Sequence, residues 1–61
     1  MRSDEFAQST IDATIWLMCF HPERLDEWLQ RHPPGASLYR VARSRITRKD
    51  VLERLPLEWK V

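Results

Sequence analysis

The run Ser9-Thr10-Ile11-Asp12-Ala13-Thr14-Ile15-Trp16-Leu17-Met18-Cys19-Phe20 holds no Gly or Pro and a single charge, Asp12, and it is closed by His21-Pro22. Wound at about 100° per residue, it places Ile11, Ile15, Met18 and Cys19 on one face and Ala13, Trp16, Leu17 and Phe20 on nearly the opposite one. A helix apolar on two sides needs cover on two sides, so neighbouring helices are expected. Ser9 followed by Asp12 is an acidic variant of the capping box, which predicts a start at Ser9 or Thr10 and an end near Phe20.

Pro22 breaks this helix and suits the first turn of the next, where its missing N–H has no partner to lose. The second helix is predicted over about Pro22 to Arg31, with a narrow stripe of Leu25, Trp28 and Leu29 and with Glu23, Asp26, Glu27 and Gln30 toward solvent. His32-Pro33-Pro34-Gly35 is a loop, since paired prolines exclude helix and the sole glycine offers a permissive backbone. Ser37 can then cap a short helix that turns Leu38, Val41 and Ala42 inward and Arg40 and Arg43 outward; alternation at Tyr39 and Val41 also admits a strand over 38–42, and helix is the preferred reading.

Thr47 with Asp50 repeats the acidic capping box, with Ile46 and Val51 placed as a hydrophobic staple, so a fourth helix is expected from about Arg48 to Leu55, ended by Pro56. Lys49 with Glu53 and Asp50 with Arg54 are i, i+4 opposite-charge pairs, each worth about 0.2–0.5 kcal/mol. Leu57-Glu58-Trp59-Lys60-Val61 alternates apolar and polar residues, the pattern of a half-buried strand. Residues 1–8 lack an apolar period and read as a flexible arm, from which Phe6 can fold back. The expected fold is thus mainly α: a small bundle of three to four short helices forming one domain over 9–61, with a short C-terminal strand over 57–61 as a further element.

At 61 residues the chain buries only about 60% of its unfolded surface, so reinforcement from outside the core is expected. Cys19 is the only cysteine, which rules out an internal disulfide and fits a reducing compartment. The acidic start Met1-Arg2-Ser3-Asp4-Glu5 does not resemble an export signal, and the longest apolar run, Ile15 to Phe20, is far short of the roughly 20 residues of a membrane helix. A cytoplasmic protein without membrane contact is expected.

The net charge of +1 conceals an asymmetry. Residues 1–30 carry Asp4, Glu5, Asp12, Glu23, Asp26 and Glu27 against Arg2 and Arg24, a net of −4. Residues 31–61 carry Arg31, Arg40, Arg43, Arg45, Arg48, Lys49, Arg54 and Lys60 against Asp50, Glu53 and Glu58, a net of +5. No acid lies between Arg31 and Lys49.

Chemistry is sparsely provided. Cys19 with His21 resembles a nucleophile and base, but Cys19 lies near a helix C-terminus, where the dipole disfavours a thiolate, and a small core residue is the better reading. Cys19, His21 and His32 lack the fourth ligand and the repeated spacing of a structural zinc site. Gly35 alone cannot build a phosphate loop. No catalytic, cofactor or metal residues are therefore assigned, and an enzyme is not expected.

Two binding classes remain. A protein partner uses the surplus apolar surface of the first helix and the interface-prone Trp and Arg residues, with Arg40, Arg43, Arg45, Arg48, Lys49 and Trp59 as the expected contacts of an adaptor or inhibitor. Pairing of the first helix with its copy would make a homo-oligomer. The alternative is a nucleic-acid-binding regulator in which the 40–49 segment contacts phosphates, Tyr39 stacks, and residues 38–55 form a degenerate helix-turn-helix.

Overall fold

A computed structural model describes residues 6–56 and residue 59. Among these the chain forms four α-helices: α1 (Gln8–Phe20), α2 (Leu25–Gln30), α3 (Gly35–Ser44) and α4 (Lys49–Arg54), with a 3-10 turn over Pro22–Arg24 leading into α2. The fold is mainly helical, a small bundle, and residues 38–42 are helix. Apart from Trp59, which belongs to no helix, the strand expected over 57–61 lies outside the described residues, as do residues 1–5 of the expected arm. Phe6 packs on the core and Gln8 is already helical. No described helix is long and apolar enough to cross a membrane.

The inner side of α1, Ile11, Thr14 and Met18, is buried and packs against α3 and α2. Leu25 and Leu29 of α2, Leu38, Tyr39 and Ala42 of α3, Ile46 in the turn, Val51 of α4 and Leu55 complete the core. Thr14 is the one buried polar side chain among the described residues. Its hydroxyl donates to the Thr10 carbonyl at 2.7 Å and accepts from the Trp28 indole at 2.7 Å, so both groups are satisfied and α2 is fixed against α1.

Helix starts differ from the expectation in a consistent way. Ala7, not Ser9, caps α1, its carbonyl accepting from the N–H groups of Thr10 and Ile11, while Asp12 accepts from the Gln8 amide at 2.9 Å. Pro34, not Ser37, precedes α3 and accepts from the N–H groups of Ser37 and Leu38. Arg48, not Thr47, precedes α4, without a side-chain cap bond, and its guanidinium binds the Asp50 carboxylate through two charge-assisted bonds of 3.3 and 2.8 Å, which turns that carboxylate away from a capping-box role. Arg54 reaches the Asp50 carbonyl at 3.4 Å instead of the carboxylate, and the Cys19 carbonyl at 3.5 Å, tying α4 to the end of α1.

Gly35 has a different use from the one expected. No glycine has positive φ, so backbone freedom is not what residue 35 supplies. A Cβ there would stand 2.6 Å from the Leu29 carbonyl oxygen and 2.7 Å from a ring carbon of Trp59. The missing side chain lets the end of α2, the start of α3 and the Trp59 indole meet. That indole donates to Asp26 of α2 at 3.1 Å.

Two substitutions test this packing. Thr14→Val keeps volume but leaves the Trp28 indole N–H without its acceptor, and the urea midpoint should fall by the equivalent of about 1–3 kcal/mol; an unchanged midpoint would show that water replaces the hydroxyl. Gly35→Ala, which at an unobstructed helical position stabilises by roughly 0.4–1 kcal/mol, should instead destabilise by about 1–3 kcal/mol as the indole is displaced. Thermal unfolding by circular dichroism, together with the NMR shift of the Trp59 indole proton, reads both effects.

Candidate interaction surfaces

Burial of Leu38, Tyr39 and Ala42 leaves Arg40 fully exposed and Arg43 partly exposed, one turn apart on the outer side of α3. The Arg43 guanidinium carbon lies 6.0 Å from the centre of the Tyr39 ring. Arg45 follows the helix and donates to the Gln8 side-chain oxygen at 3.2 Å. Buried Ile46 pins the turn, so Thr47, Arg48 and Lys49 stay in solvent. Bonding to Arg48, the larger influence, holds the Asp50 carboxyl below its usual range. Five of the six expected contact residues therefore follow one another through α3, the turn after it and the first residue of α4.

Trp59 does not join them. It packs on the core over Gly35 and bonds to the acidic helix α2. Tyr39, considered a stacking platform, is also unavailable: it is buried, and its hydroxyl donates to the Pro56 carbonyl. The helix-turn-helix outline is present as α3, a turn over 45–48, and α4, yet α4 has only six residues and exposes Asp50 and Glu53. Those carboxylates set negative charge on the helix that such a motif would place in a DNA groove.

A second surface lies on the far side of α1. Trp16 is 52% and Phe20 62% exposed, with ring centres 5.8 Å apart, and the His21 ring stands 4.9 Å from Trp16. His21 Nδ1 is 3.3 Å from the Glu23 carboxylate, whose pKa is lowered, first by hydrogen bonding to its own backbone and then by His21. Beside this pair, Leu17 opens onto a groove of about 240 Å³ between α1 and α2, shared with Arg24, Glu27, Trp28 and Arg31. Arg31 pairs with Glu27 at 3.1 Å. Neither aromatic was assigned to a site from the sequence, although the wheel had put both on the second apolar face; the signal was the absence of enough chain to cover that face.

Cys19 is half-buried against the core, and His32 Nδ1 donates to the Trp28 carbonyl at 2.9 Å with its ring 4.2 Å from the indole. No group of three or more His, Cys, Asp or Glu residues able to hold a metal occurs among the described residues.

Burial raises the Tyr39 phenol above its ordinary value of 10.0, with Arg43 opposing the shift. The folded state thus disfavours the phenolate, so this contribution is intact below pH 10 and is lost as pH rises through the folded pKa. Tyr39→Phe should lower stability near neutrality by about 0.5–1.5 kcal/mol and flatten the alkaline limb of a stability–pH profile; a limb of unchanged steepness would assign it to other groups. Compared with protein-family models, with curated proteins and with solved structures, the chain matches none of them.

Proposed function

We propose that this chain is a small, non-enzymatic protein-binding module, acting in the cytosol as an adaptor or inhibitor, that seats its partner on the outer face of α1. The observation that carries this reading is the exposed Trp16–Phe20 pair, two large aromatics in mutual contact on a helix whose opposite side already fills the core. Aromatic side chains are the usual anchors of protein interfaces, and a patch of this kind rimmed by charge marks a binding surface.

The groove beside the pair suggests what sits there. Arg24 and Arg31, seven residues apart, flank an apolar floor of Leu17 and Trp28, with Glu27 already engaged by Arg31. A partner helix with apolar anchors on one face and acids at its edges complements this arrangement in both shape and charge. Phe20 and Trp16 would meet the anchors, and the two arginines would meet the acids.

Trp16→Ser with Phe20→Ser should leave the chain folded and cost no more than about 1–2 kcal/mol, since both side chains are largely exposed and their mutual ring contact is worth about 0.5–1.5 kcal/mol. The protein captured by the parent chain should be lost with this double variant and retained by Arg40→Glu with Lys49→Glu, and NMR shifts on binding should map to Trp16, Leu17, Phe20 and Trp28. Capture insensitive to the double variant would overturn the assignment. So would a parent dimer that the double variant converts to monomer by light scattering, because the face would then be covered by a second copy.

A further inference from the structure

We propose that the outer face of α3 and the turn after it bind the phosphate backbone of double-stranded nucleic acid, without reading its sequence. Arg40, Arg43, Arg45, Arg48 and Lys49 fall within ten residues of chain, and the buried residues between them, Ala42 and Ile46, hold their backbone against the core. The side chains are thus presented from a fixed scaffold.

The charged surroundings favour an anion. No acid occurs between Arg31 and Lys49. From α1, Gln8 turns its oxygen to the Arg45 guanidinium and its amide to Asp12, so the nearest acid of that helix is one side chain removed from Arg45 and already engaged. From α4, Asp50 is engaged by Arg48, and Glu53 stands one turn beyond Lys49. Arg40 and Lys49 are fully exposed at the two ends of the set. A duplex, with about one negative charge per 1.7 Å of axis, is the polyanion dense enough to engage several such side chains together.

The same surface sets the mode. Single strands are held by stacking on exposed aromatics, and here Tyr39 is buried with its hydroxyl engaged by Pro56. In a helix-turn-helix the second helix reads the bases, and here that helix, α4, meets the solvent with Asp50 and Glu53. Phosphate contact from α3 and the turn is what remains. Because the aromatic pair lies on the side of α1 turned away from α3, the two surfaces can be occupied at once.

Equilibrium binding of the full chain to two unrelated duplexes of about 25 base pairs tests this. For three to four phosphate contacts, affinity should be equal for both sequences and fall roughly 40- to 150-fold between about 50 and about 200 mM salt. Arg40→Glu with Lys49→Glu should weaken binding at least tenfold, Arg40→Gln with Lys49→Gln by less, and Trp16→Ser with Phe20→Ser should change nothing. Binding weaker than about 100 μM at low salt, or indifference to the charge reversals, would overturn the proposal. Equal competition by polyglutamate would overturn it in favour of an acidic protein, and tighter binding to the single strand would overturn the duplex mode. Neither result would bear on the partner seated at Trp16 and Phe20.

Discussion

The Thr14 hydroxyl, donating to the Thr10 carbonyl and accepting from the Trp28 indole, sets the register from which the rest of the bundle follows. It lies on the inner stripe of α1 between Ile11 and Met18, where an unpaired polar atom would be strongly unfavourable. Meeting that demand fixes where α2 crosses α1. A six-residue helix such as α2 is not stable alone, so its position derives from this bond and from the burial of Leu25 and Leu29. Leu29 then presents its carbonyl to Gly35, which starts α3, and α3 in turn buries Leu38 and Ala42 against α1.

What the sequence made legible was the part governed by helical periodicity and by proline. The helix ending at Phe20, the helix around Trp28 and the break at Pro33-Pro34 follow from spacing and proline, whereas the spacing around Val41 also admitted a strand and the burial of Leu38, Tyr39 and Ala42 on one side of α3 decides for helix. The caps did not, because a hydroxyl at Ser9, Ser37 or Thr47 competes with nearby groups whose reach is not written in the local pattern. The Asp50 carboxylate that would reach back to the Thr47 N–H is bonded instead by the Arg48 guanidinium, a charged donor in place of a neutral one. Gly35 is the sharper example: its composition suggests a flexible loop, whereas the need for it comes from Leu29 and Trp59, six residues before and many residues after. The grouping of Arg40 to Lys49 was visible in the charge count, but the departure of Trp59 and Tyr39 from that surface depends on long-range bonds to Asp26 and Pro56.

Smallness explains why α1 keeps an uncovered side. Its inner stripe already draws on α2 and α3, with α4 tied in through Arg54 at its end, and no further described helix is left to lie over Trp16 and Phe20. A domain of this size cannot bury every apolar residue that a two-sided helix carries. Arg40, Arg43, Arg45 and Arg48 are held apart from that aromatic side by the α1–α3 contact, whereas Arg24 and Arg31 border the groove beside it. An apolar anchor and an electrostatic one can therefore be altered separately.

The three tryptophans occupy three different environments: Trp16 in solvent beside Phe20 and His21, Trp28 hydrogen-bonded to Thr14 and against His32, and Trp59 lying over Gly35 beside Asp26. The protein thus contains its own optical reporters. Emission from Trp16 is the most solvent-relaxed and follows the surroundings of the outer face of α1, that from Trp28 follows separation of α1 from α2, and that from Trp59 follows its own release from Gly35 and Asp26. Chains keeping one indole at a time would resolve these events without any attached dye.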